Sequence, residues 1–106
     1  MARVAALGTD LMLLSRVSAA LEGSGHQVER AGALPEPLEG VDLVVADLDA
    51  VDPERLAGLE PPVLGFYRHT DVETKRRAEA AGLELTVPRS RLVRELPELA
   101  ERLLSA

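Results

Sequence analysis

The sequence predicts a doubly wound α/β fold, a five-stranded parallel sheet of order 2-1-3-4-5 with helices on both faces. Short apolar runs alternate along the 106 residues with stretches of helical periodicity, which is the pattern of repeated strand-helix-strand units. The first, third and fourth runs are apolar throughout, as strands buried on both faces are, whereas the second and fifth carry polar residues, as edge strands do. The run from Val41 to Asp49 also drives an apolar strand directly into carboxylates. Asp47 is thereby set at the carboxyl end of a central strand, where open α/β sheets place their sites.

Arg3 to Leu7 reads as the first strand, stopped at Gly8, and Thr9 and Asp10 are both good helix N-caps. The helix expected from about 11 to 22 puts Leu11, Leu14, Val17 and Leu21 on one face, widened by Met12, Leu13 and Ala20. Gly23 to Gly25 end it, and His26 to Ala31 alternate weakly, as an edge strand does. Residues 33 to 40 form a loop punctuated by Pro35 and Pro37. After the central strand at 41–47, Asp52 and Pro53 are a cap and a first-turn proline that open a short helix to about Leu59. Val63 to Tyr67 is the next buried strand, and Gly65 within it implies a close approach of another group to the backbone. Thr70 to Glu73 matches a capping box for a helix running to Gly82. Leu83 to Val87 alternate as the last strand. Leu92, Leu96, Leu99 and Leu103 then make a helical stripe that Pro97 interrupts. Proline cannot donate within a helix, so the expectation is a helical turn at 90–95 followed by the main helix with Pro97 near its start.

Composition excludes several classes of function. Without cysteine there is no disulfide, thiolate metal site or cysteine nucleophile, and a reducing cytoplasm is the natural setting. Asp10 and Arg16 interrupt the apolar stretch of residues 1–21, which is therefore not expected to be a signal peptide, and nothing approaches a membrane span. A net charge of −6 argues against general nucleic-acid binding. The charge is nonetheless polarised: residues 33–60 hold eight acids against Arg55, and residues 66–94 hold seven bases against four acids. Such polarity orients a partner or a second copy, or simply marks solvated helix faces. With the apolar first helix, it raises the expectation of a weak homodimer.

In the predicted order the switch point lies between strands 1 and 3. The loops meeting there bring Gly8, Thr9 and Asp10; Asp47, Leu48 and Asp49; Tyr67, Arg68 and His69; and Pro88, Arg89 and Ser90. With these residues in place the chain resembles a response-regulator receiver domain of the CheY-like, flavodoxin-like class, over nearly its whole length. Residues 3–28 are similar to that family's first strand, helix and second strand, and Val41 to Asp47 to its phosphoacceptor strand. Residues 62–67 and 80–89 resemble its fourth strand and the approach to its lysine.

The resemblance implies that an aspartate ending strand 3 takes a phosphoryl group from a histidine kinase in two-component signalling. Two acidic residues after strand 1 would hold Mg²⁺, with a hydroxyl residue after strand 4 and a lysine after strand 5 binding the phosphoryl. Asp47 falls on the phosphoacceptor. The acidic pair falls on Gly8 and Thr9 with Asp10 one residue late, the hydroxyl residue on Tyr67 and the lysine on Arg89. Mg²⁺ needs carboxylates as well as phosphate and water, and Asp10 and Asp47 alone would hold it weakly. Arg89 is placed to pair with Asp47 and quench it as a nucleophile. The expectation is a degenerate receiver, a pseudo-receiver acting as a non-enzymatic protein-interaction module with no cofactor. The alternatives are an atypical receiver phosphorylated on Asp47 with Mg²⁺, and a small-ligand-binding flavodoxin-like domain. Residue by residue, Asp10 reads as N-cap or metal ligand, Asp49 as a turn residue, His69 as proton carrier or solvated loop residue, and Tyr67 as hydrogen-bonding across the pocket or capping it.

Overall fold

The computed structural model describes residues 1–35, 38–68 and 72–105. Five parallel strands, β1 (Arg3–Leu7), β2 (Gln27–Ala31), β3 (Leu43–Asp47), β4 (Val63–Tyr67) and β5 (Leu85–Pro88), form one sheet in the order β2-β1-β3-β4-β5, as the sequence predicts. Helices α1 (Leu11–Gly23), α2 (Pro53–Leu56), α3 (Val72–Ala81) and α4 (Arg89–Leu104) connect and cover the strands.

Strand alternation divides the core in two. Val4 and Ala6, Leu43 and Val45, and Leu64 and Phe66 point to one face, where Leu14, Val17 and Leu21 of α1 and Leu92, Leu96 and Leu99 of α4 cover them. Ala5 and Leu7, Val44 and Ala46, and Val63 point to the other, against Leu56 of α2 and Ala78 of α3. Every residue of β3 and β4 is buried, whereas β2 is mostly exposed. An edge position leaves β2 one unpaired flank, and its charged residues discourage further strand addition.

Several boundaries differ from the sequence-based expectation. β3 begins at Leu43 rather than Val41, because Asp42 closes the ladder to β1 from outside: its backbone N–H donates to the Arg3 carbonyl at 2.8 Å and its carboxylate accepts the Arg3 N–H at 2.9 Å. α2 ends at Leu56, well short of Leu59, as the chain turns extended at Ala57. β5 covers 85–88 rather than 83–87, and α4 follows it without a loop. The capping box at Thr70 lies outside the described residues.

On α1, Asp10 is the N-cap and accepts the Leu13 N–H at 3.1 Å. Leu13, Leu14, Val17, Ser18 and Leu21 are buried, but Leu11 and Met12 are 73% and 82% exposed. Periodicity puts Leu11 on the core side with Leu14 and Ser18, whereas Met12, two residues from Leu14, falls on the outer side and does not widen the buried face as the sequence suggests. Leu13 and Leu14 of the same turn are buried in the core, so on the core side only Leu11, the first residue of the helix, is left uncovered. At the other end of the chain Glu95 leaves helical geometry (φ −121°, ψ 16°) and breaks α4 into two segments. Pro97 therefore stands in the first turn of the second segment, where its missing N–H costs little, as expected from the sequence.

Candidate functional site

Asp47 is the last residue of β3 and shares the parity of Leu43 and Val45, so its carboxylate rises at the carboxyl edge on the α1–α4 face. It is 7% exposed. A buried carboxylate needs hydrogen-bond partners, and Oδ1 accepts the Asp49 N–H at 3.0 Å. The Asp47 carbonyl accepts the Ala50 and Val51 N–H groups at 3.0 and 2.9 Å, which closes the turn after the strand. Asp49 in turn accepts the Arg68 backbone N–H at 3.2 Å and ties this turn to the end of β4.

Two glycines let these loops approach one another. A Cβ on Gly8 would lie 3.0 Å from the Asp47 Cβ, so the strand-1 turn sits directly against the acid. A Cβ on Gly65 would lie 2.7 Å from Leu48 Cδ1: the close approach expected at this glycine is the Leu48 side chain folded over β4.

Arg89 does not pair with Asp47. Its guanidinium donates to Asp10 Oδ2 at 2.5 Å, because Asp10, held as the cap of α1, faces the start of α4 across the end of the sheet. The Leu13 N–H, and then the Arg89 charge, hold the Asp10 carboxyl below the ordinary aspartate range against the opposing effect of partial desolvation.

A cavity of about 190 Å³ opens over Asp47, lined also by Thr9, Asp10, Asp49, Ala50, Arg68 and Arg89. Of the residues assigned to this pocket from the sequence, Thr9, Asp10, Asp49 and Arg89 line it with Asp47, and Gly8 packs beneath. Tyr67 is buried at the end of β4 but is not part of the lining, since its parity follows Val63 and Gly65 toward the α3 face. His69 lies outside the described residues. Arg68, which the sequence brings to the converging loops without assigning it a role, also lines the cavity, as its position directly after a buried strand implies.

Solved structures share this architecture over almost the entire chain. A CheY-like receiver domain from Methanospirillum hungatei superposes with a TM-score of 0.84 at 19% identity, covering 99% of this chain and 94% of its own. The non-phosphorylated HemR receiver domain of Leptospira biflexa gives 0.80 at 22% identity, with coverage of 100% and 96%. The receiver domain of NtrX from Brucella abortus gives 0.80 at 19%, with 97% and 98%. The fold is that of response-regulator receiver domains. No family model and no curated protein sequence matches the chain.

A receiver fold raises the question of whether these residues suit Mg²⁺. Gly8 and Thr9 bring no carboxylate to the turn after β1, and Asp10 is engaged by both Leu13 and Arg89. Among the described residues no three His, Cys, Asp or Glu side chains gather as a metal site. The donor set does not fit a magnesium ion held by an acidic pair. Taken alone, the cavity over Asp47 falls below the roughly 300–1,000 Å³ of small-molecule sites. No helix of the described residues is long and apolar enough to cross a membrane.

Proposed function

We propose that this protein is a pseudo-receiver, a non-enzymatic signalling module of two-component type that works through protein contacts rather than through phosphorylation. The observation that carries the reading is the commitment of Asp10. The one carboxylate near the position of the metal-binding pair caps α1 and is neutralised by Arg89. Phosphoryl transfer to an aspartate brings two anions together and needs a cation to offset their repulsion. Asp47 then acts as a structural acceptor that fixes the turn at Asp49.

Exposure to acetyl phosphate, or to beryllofluoride, with Mg²⁺ tests this directly. The mass and the amide spectrum are expected to stay unchanged, and a stable adduct on Asp47 would end the reading. A cytoplasmic setting and a protein partner, with neither cofactor nor nucleic acid involved, belong to the same proposal. Weak self-association is a separate expectation, now supported by the exposed Leu11 and Met12 on α1. A sedimentation coefficient independent of concentration would exclude it.

One observation favours a working, atypical receiver instead. Arg89 is turned to Asp10, so among the described residues Asp47 has no guanidinium ion pair, and it borders a cavity that Arg68 and Arg89 also line. This reading requires Mg²⁺-dependent amide shifts around Asp10 and Asp47, and a flat titration rules it out.

A further inference from the structure

Beside the small cavity over Asp47, a larger groove of about 740 Å³ runs between the first turns of α1 and α4. Its volume lies within the range of small-molecule sites. Arg16, Arg68 and Arg89 line it with Asp10, and the carboxylates of Asp47 and Asp49 belong to the adjoining cavity that Arg68 and Arg89 also border. This concentration of positive charge is notable in a chain of net charge −6. Arg89 is matched by Asp10, whereas the side chains of Arg16 and Arg68 have no ion pair among the described residues. Among its described lining residues the groove thus carries two cations, Arg16 and Arg68, beyond the neutralised pair.

Between the arginines the surface is apolar. Met12 and Val93 are 82% and 40% exposed, and Leu13 forms the floor. The same strip continues down the α1–α4 seam into a second hollow of about 310 Å³, which shares Leu13, Arg16 and Val93 and adds Val17 and Leu96. Arg68 and Arg89 border both the groove and the Asp47 cavity, so the polar end of the groove lies where the two spaces meet, and Ser90, the residue after Arg89, lines the groove.

We propose that this groove binds an amphipathic organic phosphate, with the phosphate between Arg68, Arg89 and Ser90 and an apolar ring or chain laid over Met12, Leu13 and Val93. Guanidinium forks match phosphate oxygens in paired hydrogen bonds, and the exposed apolar strip is covered only if the anion carries a hydrophobic group. The inference does not depend on whether Asp47 is ever phosphorylated. Occupancy would draw Arg68 and Arg89 toward the ligand and so change what faces Asp47.

Titration of the ¹⁵N-labelled protein with 1-naphthyl phosphate tests the proposal, with inorganic phosphate and 1-naphthol as the two halves of the probe. Saturable shifts are expected at Met12, Arg68, Ser90 and Val93, with weaker binding of inorganic phosphate at Arg68 and Ser90 and none of naphthol. Arg68→Gln should weaken naphthyl phosphate about tenfold. Val93→Ser should weaken naphthyl phosphate and leave inorganic phosphate unaffected. Both sites are exposed, and retained amide dispersion verifies the fold of each variant. The proposal is overturned by a lack of saturation into the millimolar range, or by shifts spread equally to Arg76 and Arg77 on α3. It is equally overturned if an acidic apolar peptide shifts the groove residues while naphthyl phosphate does not, which would make the groove a protein-docking surface.

Discussion

Asp10 and Arg89, 79 residues apart in sequence, meet at 2.5 Å and tie the cap of α1 to the first residue of α4. Because the folded Asp10 carboxyl lies below its usual value of 3.8, its contribution to stability is fully present above that value. It is lost as the pH falls through the lowered folded value. Asp10→Ala should therefore lower Tm by several degrees at neutral pH and by much less in strong acid. Arg89→Gln should cost less, since the Leu13 cap bond survives and the pair is 31% and 42% exposed. Thermal unfolding across the acid range separates the two, and equal effects at both extremes would refute the linkage.

Leu48 folded over Gly65 predicts an overpacking penalty. Gly65→Ala places a methyl 2.7 Å from Leu48 Cδ1 and 3.1 Å from its Cγ, inside a core where Leu48 is 4% exposed. The expected loss is about 1–3 kcal/mol. Gly65→Ala combined with Leu48→Ala should fall well short of the sum of the single losses, because each relieves the other. Additive losses by urea denaturation would show that the contact is not the cause.

Restoring an acid after β1 should create a cation site. Thr9 is exposed and lines the cavity with Asp47, so Thr9→Asp adds a carboxylate without disturbing the core. The variant should give saturable Mg²⁺-dependent amide shifts at residues 9, 47 and 49 that the parent protein lacks. At Gly8 the same change is obstructed, since a Cβ there lies 3.0 Å from the Asp47 Cβ. Gly8→Asp should cost stability before it gains any cation.

The break at Glu95 makes Pro97 cheap to keep and cheap to lose. Pro97→Ala should change stability by less than about 1 kcal/mol, as the proline already stands in a first turn that lacks intrahelical N–H partners. Ala100→Pro, three residues on and fully buried, should cost about 3 kcal/mol or more. Chemical denaturation of the two variants makes the comparison.

The sheet order was legible because burial leaves a direct trace in composition: Val44, Val45 and Leu64 have no polar neighbour to hide, while Glu29 and Arg30 could only stand at an edge. Pro97 announced the break in α4 through its missing N–H. Leu11 misled because periodicity reports which side of a helix a residue occupies, not whether the core extends far enough to cover it, whereas Met12, two residues from Leu14, is turned outward by the helix itself. The partner of Arg89 was legible only in part. Loop membership brought Arg89, Asp10 and Asp47 together, but choosing between two carboxylates requires distances that a linear chain does not encode.

His26 lies at the end of the sheet remote from Asp47, with its ring accepting the Ala2 N–H through Nδ1 at 3.1 Å and facing Glu101 through Nε2 at 3.3 Å. Met1, Ala2, Leu104 and Ser105 border one hollow around it. The segment before β1 and the end of α4 therefore close the same end of the sheet, opposite the Asp47 loops. Substitutions at His26 or Glu101 therefore act on that closure and should leave the Asp47 loops with their present geometry.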